Sequence, residues 1–450
     1  MRNRNFPRAP FLASRTHYFL ILALVLQGCA MSVEFYKQVD AEVASDRFAS
    51  AARLVEDNKE SYGKNSAVLY NLESGLLLHY AGDYELSNTH FLESEREMDD
   101  LYTQSVSKGV GSMVLNDNLL PYEGEDFEKV YVNLFLALNY ARLGKLGDAL
   151  VEARKVDLKL KEYSRQYEGK NSYKQDAFVR YIMGVLYEAD GEVNDAFISY
   201  RDAYQGYKAY DTLFATKCPS YLKADLVRTA GRLGFQNELT EYEKEFGIKY
   251  TPSPPNLGTL LVVIYSGRGP VKEEVKLRVS IMDNEGTVHT FVAAVPKFHS
   301  RQNWVSTYNV SANGNGVSDA TESELGEDVN AIAGKSLDER ISLIYLKTAG
   351  RALLKFLAAE QAKKEVKKQN DSPLANFLTS VVVDAAYDAS EKADVRTWRT
   401  LPHDIQIALL RLPAGDFTVG VISQNGEPVM SKTVAITPGT LSVETVTDIR

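Results

Sequence analysis

The segment that most resembles a chemical site is YEGEDFE, residues 122–128, which places four carboxylates within six residues. Carboxylates at this density can bind a metal ion or form an acid/base pair. Acids also suit the first turn of a helix, where the helix dipole favours negative charge, and an apolar helical run follows directly. We predict a helix start here, with three residues available to a binding partner: Tyr122, Glu125 and Asp126.

A second candidate is DVRTWRTLP, residues 394–402, which brings Arg396, Trp398 and Arg399 together. Tryptophan and arginine are enriched at the energetic centres of protein interfaces, so the three side chains can form a binding hot spot. The same segment can equally be a packed crossover from a helix to a strand, with Trp398 in the core. The sequence leaves both interpretations open.

Cys29 follows a basic head without acids and a nine-residue apolar run, Tyr18 to Leu26. A membrane-spanning helix needs about 20 apolar residues, so the pattern predicts an export signal. Leu26-Gln27-Gly28-Cys29 resembles a bacterial lipoprotein signal, although Gln27 departs from the usual small or β-branched residue. We predict that residues 1–29 form this signal and that Cys29 is acylated. The alternative is an ordinary secretory signal. Ala30, where an Asp would favour inner-membrane retention, favours the outer membrane, facing the periplasm.

Sequence signatures of catalysis are missing. None of the six histidines forms an H-x-x-x-H pair, no G-x-S-x-G occurs, and the Gly334-Lys335-Ser336 stretch lacks the glycine that a phosphate loop needs at Val329. Cys218 is predicted to be a packed thiol. The sequence therefore predicts a protein that is not an enzyme and binds no metal or cofactor.

Charge also limits the partners. The chain has 51 basic and 60 acidic residues, and removing residues 1–29 removes four arginines, so the mature charge is 47 − 60 = −13. An acidic body repels nucleic acid and favours protein partners. Peptidoglycan remains a possible partner, and the lipid on Cys29 supplies the contact with the membrane.

Residues 30–249 are predicted to form a helical domain. Three stretches resemble the tetratricopeptide repeat, with a small residue, a large residue three positions later, a turn glycine and a second helix. The turn glycines are Gly82, Gly144 and Gly191, spaced 62 and 47 residues apart instead of about 34. We predict an irregular all-α solenoid; a plain helical bundle is the alternative.

The Pro-rich stretch 250–257 is the predicted linker to a second domain, 258–450. Its alternating apolar runs predict strands, and the fold class is α+β: a small sandwich or sheet with a helical insertion at about 326–394. Periodicity predicts helices over 338–368 and 372–394. The polar stretch 311–328 is predicted to be a mobile loop.

Several segments resemble a family of uncharacterised bacterial lipoproteins: YSGRGPVK (265–272), RISLIYLKTAGRALLKF (340–356), ADVRTWRTLPHDIQIALLRLPAGDF (393–417) and YEGEDFE. The resemblance implies a lipoprotein signal, a tetratricopeptide-like half and this C-terminal half, and it assigns no catalytic residue. The genes of that family often lie beside lipoprotein activators of cell-wall synthases, which implies a role in envelope assembly.

Together these patterns predict a lipid-anchored periplasmic adaptor or scaffold that binds a protein partner in the cell envelope. Two alternatives remain: a peptidoglycan- or glycan-acting enzyme or binding protein, and a structural component of an export assembly. A glycan role predicts a cleft with convergent acids, whereas an adaptor predicts a concave face without them.

Overall fold

A computed structural model describes residues 33–108, 118, 120–166, 176–254, 256–282, 288–369 and 392–449. The predicted signal with Cys29, and all but the last three residues of the predicted helix 372–394, lie outside these ranges. The chain is multidomain, with a helix-rich N-terminal half and a sheet-containing C-terminal part.

Helices account for the N-terminal half, and from Ala67 onward they pack as successive antiparallel hairpins. The helices are α1 (Val33–Val43), α2 (Phe48–Asp57), α3 (Lys59–Tyr62), α4 (Ala67–Ala81), α5 (Tyr84–Lys108), α6 (Asp126–Arg142), α7 (Leu146–Gln166), α8 (Ala177–Ala189), α9 (Val193–Phe214), α10 (Ser220–Leu233) and α11 (Gln236–Phe246).

Glycines occupy the turns between the paired helices. Gly82, Gly144 and Gly191 adopt φ values of +80°, +70° and +84°, so each turn predicted from the sequence is confirmed as left-handed backbone that glycine adopts without strain. Within α8, a Cβ added at Gly184 would lie 2.5 Å from the ring of Tyr200 on α9. The small residue therefore sets how closely these two helices approach.

Strands dominate the C-terminal part. They are β1 (Leu257–Arg268), β2 (Val271–Met282), β3 (Val288–His299), β4 (Tyr308–Gly314), β5 (Val317–Glu322), β6 (Glu324–Glu327), β7 (Pro402–Pro413), β8 (Gly415–Ser423), β9 (Pro428–Ile436) and β10 (Leu441–Asp448). One sheet has the order β10-β1-β7-β6 and a second has the order β5-β4-β8-β9, while β2 and β3 form a separate hairpin. The two four-stranded sheets share one apolar core.

The central strand β1 is buried on both faces. Leu260, Val262 and Ile264 lie in the core between the two sheets, whereas Leu261, Val263 and Tyr265 belong to the core of the helical half. Side chains alternate along a strand, so a continuous apolar run is what a strand between two cores requires. The helical half and the core between the two sheets therefore lie on opposite faces of β1.

A long helix, α12 (Val329–Gln369), begins within the predicted helical insertion. The preceding polar stretch 311–328 is not a loop, and that prediction is wrong: most of it pairs as the end of β4, β5 and β6. Its polar character reflects position, because β5 is an edge strand whose side chains are almost all exposed.

Candidate functional site

A cleft of about 420 Å³ lies where the helical half meets the β2–β3 hairpin and α12. We call it the hairpin cleft. One wall comes from α5, α7 and the chain before α6, and the other from the hairpin, α12 and the segment before β7. Its lining includes Met98, Tyr102, Tyr122, Glu125, Asp126, Lys272, Leu337, Arg340, Leu343, Lys347, Asp394 and Arg396.

Glu125 lies at the floor of the hairpin cleft, immediately before α6, so the predicted helix start is confirmed. Its carboxylate is buried and accepts from the Lys272 ammonium at 2.6 Å and from the Arg340 guanidinium. Burial raises the pKa of Glu125, but the charges of Lys272 and Arg340 outweigh it and lower the pKa to about 2. Glu125 is therefore an ionised group held by two bases.

Glu128 lies in the first turn of α6, and its side chain is fully buried. Its carboxyl accepts from the Tyr122 hydroxyl at 2.6 Å, from the backbone N–H of Glu125 at 2.9 Å and from the backbone N–H of Trp398 at 3.0 Å. Burial and the neighbouring Glu125 charge raise its pKa. These partners leave Tyr122 and Glu128 engaged with the protein itself.

Arg396 joins the same cleft from the opposite side. Its guanidinium donates to the carbonyl oxygens of Asn65 and Leu120 at 2.8 and 3.0 Å, pairs with Asp394 at 2.7 Å, and lies over the Tyr122 ring. The structure thus brings Tyr122, Glu125, Asp126 and Arg396 together, although two distant segments supply them. These contacts fix Arg396 as part of the cleft wall.

Trp398 and Arg399 do not belong to the cleft. Trp398 is 1% exposed, with ring centroids of Phe91 and Phe135 within 6 Å, so it is the packed crossover and not a surface hot spot. Arg399 lies over the Tyr36 ring on α1.

The open part of the hairpin cleft was not predicted from sequence. Tyr102 on α5 is 42% exposed and Leu343 on α12 is 50% exposed. One signal was present in the sequence, because α12 carries more apolar residues than one buried stripe requires. Among the side chains of α12 that the structure describes, the exposed large apolar ones are Leu343, Tyr345, Leu346, Leu353 and Leu354.

Charges in the cleft lining balance. Six acids and six bases contribute, so the cleft has no strong preference for a highly charged ligand. The acids are Asp99, Glu123, Glu125, Asp126, Glu162 and Asp394, and the bases are Lys129, Lys159, Lys272, Arg340, Lys347 and Arg396.

A second cavity, of about 560 Å³, lies beside the start of β1 and the ends of α8 and α10. It contains Arg228, Arg232 and Arg411, but their guanidinium groups pair with Glu188 and Asp225. Burial lowers the pKa of Arg228, yet the Asp225 and Glu188 charges outweigh it and the net pKa is raised. The arginines that line this cavity are therefore paired with acids inside the protein.

Within the described ranges, the His, Cys, Asp and Glu side chains nowhere gather in a group that could hold a metal ion. Among those residues, no helix has both the length and the apolar character needed to cross a bilayer. Cys218 is half-buried, and burial raises the pKa of its thiol to about 12.

No family model matches the chain, and no curated protein matches it. Among solved structures, BtubC (BKLC) from P. vanneervenii is 14% identical with a TM-score of 0.33, over 53% of this chain and 90% of that chain. The Rap conjugation gene regulator of the plasmid pLS20, in complex with the Phr* peptide, is 13% identical with a TM-score of 0.29, over 53% and 66%. Likeness at this level carries no argument about function.

Proposed function

We propose that the protein is a lipid-anchored adaptor of the cell envelope and that it holds an apolar or amphipathic segment of a partner protein in the hairpin cleft. The observation that carries this proposal is the contrast between paired charged side chains and exposed side chains in the lining of this cleft. The buried charged groups Glu125 and Lys272 are already paired inside the protein, whereas the ring of Tyr102 and the side chain of Leu343 in the same lining are exposed. Exposed apolar residues rimmed by balanced charges suit a protein partner.

The helical half is proposed to be a tetratricopeptide-like solenoid. Its support is the series of antiparallel hairpins, the left-handed glycine turns and the close approach at Gly184. Glycine spacings of 62 and 47 residues make it irregular. In this proposal the hairpin cleft lies on the longer interval, between Gly82 and Gly144, where the repeat is interrupted.

The anchor rests on Cys29. Its place after a short apolar run supports acylation, and the absence of Asp at Ala30 supports delivery to the outer membrane. Lipid chains bind a bilayer by about 0.8 kcal/mol per buried CH₂ group, so a multiply acylated protein stays on its membrane.

In-cell photo-crosslinking tests the proposal. p-Benzoylphenylalanine is placed at Leu343 in the cleft and, as a matched control, at Ile198, which is 38% exposed on α9 and does not line the cleft. We expect one protein adduct from Leu343 that is absent from Ile198, identified by mass spectrometry. The adduct should be lost when Cys29→Ser removes the anchor.

Other outcomes are decisive. Equal adducts from both positions would show that the cleft is not the docking site. Peptidoglycan fragments on Leu343 without a protein adduct would overturn the adaptor and support the glycan-binding alternative. A protein adduct that persists in Cys29→Ser cells would support the docking site and contradict the proposed anchor.

A further inference from the structure

Trp304 lies in the chain between β3 and β4, and its side chain is 71% exposed. No large apolar side chain in the described part of the protein is more exposed. A ring of this size would gain hydrophobic free energy wherever it could be covered. Its position on the surface makes it a candidate contact for a ligand.

The segment that carries Trp304 alternates between solvent and protein. Gln302, Trp304 and Ser306 are exposed, whereas residues 301, 303, 305 and 307 are half-buried. Successive side chains of an extended chain point to opposite sides, so the three exposed side chains share one side. Four residue steps span at most about 14 Å. We call this row of an amide, an indole and a hydroxyl the indole row.

Hydrogen bonds fix the indole row on the end of the sheets. Gln424, which follows β8, donates to the carbonyl oxygen of Trp304 at 3.0 Å and accepts from the Ser306 hydroxyl at 2.7 Å. Asn303 donates to Asp404 at 2.8 Å. The ring is thus presented by a backbone that is already ordered, so less conformational entropy is lost when a ligand covers it.

Charged groups beside the indole row are engaged within the protein. Arg301 pairs with Asp40 at 3.4 Å. Asp404 accepts from Asn303 and from Gln406. These contacts leave little attraction for a charged ligand, and the two side chains that flank the indole in the row are uncharged. An uncharged ligand with many hydrogen-bonding groups therefore fits the row better than an ion does.

We propose that the indole row binds an uncharged glycan, with one pyranose ring stacked on Trp304 and the hydroxyl groups of neighbouring rings hydrogen-bonded to Gln302 and Ser306. The C–H bonds on one face of a pyranose make that face apolar and slightly positive, which complements the negative face of an indole. Amide and hydroxyl groups both donate and accept, as sugar hydroxyls require. A protein interface centres on several desolvated apolar side chains, whereas the row has one. The indole row shares no residue with the hairpin cleft, so this glycan site is independent of the adaptor function and of its anchor.

Tryptophan fluorescence tests the site, because the chain has two tryptophans and Trp398 is buried. The full-length protein, in a detergent without a sugar headgroup, is titrated with chitohexaose, whose rings carry acetamido groups, and with cellohexaose, whose rings do not. We expect a saturable shift of the emission to shorter wavelength, with protection of Trp304 from iodide quenching. Binding of either oligosaccharide supports the site, and the comparison shows whether the acetamido group is recognised.

Trp304→Ala is the test variant, and in it the remaining Trp398 emission should not respond. Isothermal titration calorimetry should show binding weakened at least about tenfold. Leu158→Ala on α7 is the matched control, because Leu158 is 67% exposed and lies in the helical half. It should bind as the wild-type protein does. Both substitutions remove an exposed side chain, so thermal unfolding should be unchanged.

Three results would overturn the glycan site. The first is an unchanged spectrum and no heat of binding with both oligosaccharides. The second is binding that persists in Trp304→Ala protein. The third is a response to tetragalacturonate, which is anionic, without a response to the neutral oligosaccharides. None of them changes the expected crosslink from Leu343, because that residue lies in the hairpin cleft.

Discussion

The ammonium of Lys272 on β2 lies 2.6 Å from one carboxylate oxygen of Glu125, the residue that precedes α6, and Arg340 of α12 contacts the other oxygen. One carboxylate therefore joins the helical half, the hairpin and the long helix. Both members of the Lys272–Glu125 pair are more than nine-tenths buried, so water does little to screen it. The shape of the hairpin cleft depends on this contact.

Lys272→Met should lower the free energy of unfolding by about 3 kcal/mol, because it leaves the buried Glu125 charge with Arg340 as its remaining close base. Urea denaturation at pH 7 measures the change. Lys276→Met is the control: it lies on the same strand, is 56% exposed and should change stability by less than about 0.5 kcal/mol. Equal losses in the two variants would contradict a structural role for the buried pair.

Gly184→Ala should destabilise the α8–α9 hairpin by about 1–3 kcal/mol, because the new methyl would overlap the Tyr200 ring. Gly350→Ala in the middle of α12 is the matched control, since a Cβ there meets nothing within 4 Å. It should stabilise by about 0.5–1 kcal/mol through helix propensity. Thermal unfolding of both variants checks the opposite signs; a neutral Gly184→Ala would show that the helices are not in close contact.

Glu73→Gln should change how stability depends on pH. Burial raises the pKa of Glu73 to about 7, against the hydrogen bond from Tyr62 and the charge of Arg399. A carboxyl with a raised folded-state pKa contributes stability that is present below its unfolded pKa near 4.5 and is lost as pH rises through about 7. The wild-type protein should therefore lose up to about 3 kcal/mol between pH 5 and pH 8 relative to Glu73→Gln.

The difference between the two proteins is the quantity to measure, by urea denaturation at each pH. His79 has the opposite dependence, because burial lowers its pKa to about 4 and its contribution is lost as pH falls below 6.5. Subtracting the Glu73→Gln curve removes the His79 contribution. Parallel curves would mean that Glu73 titrates normally.

Tyr265→Phe should cost about 2 kcal/mol of unfolding free energy, because it leaves a buried nitrogen without a donor. Asn139 donates through its amide nitrogen to Ser87, so its oxygen accepts from Nδ1 of His79, and Nε2 must accept from the Tyr265 hydroxyl at 2.8 Å. Tyr250→Phe is a control for losing a hydroxyl from a half-buried tyrosine. Similar losses in both variants would contradict a stabilising hydrogen bond between Tyr265 and His79.

Local features were predictable from sequence where one short segment determines them. The turn at Gly82 needs only a residue that adopts positive φ, and the start of α6 needs only acids ahead of an apolar run. The strand β5 was missed because an edge strand with exposed side chains lacks the alternation that marks a half-buried strand. The sequence did not decide whether Trp398 is buried, because its burial depends on how other helices pack around it.

The cleft was predictable only in part. Tyr122, Glu125 and Asp126 are neighbours in sequence, and composition was enough to select them. Lys272 and Arg340, which complete the site, lie 147 and 215 residues from Glu125. No local pattern distinguishes a lysine that will pair inside the protein from one that stays in solvent, so these residues required the fold.

The parallel pairing of β1 with β10 makes the order of synthesis matter. Leu257–Arg268 is made long before Leu441–Asp448, yet β10 supplies one of the two neighbours of β1. Until β10 is made, β1 has an unpaired edge and apolar side chains on both of its faces. During synthesis β1 would therefore be an unpaired apolar edge strand, the kind of exposed edge that makes folding intermediates prone to aggregate.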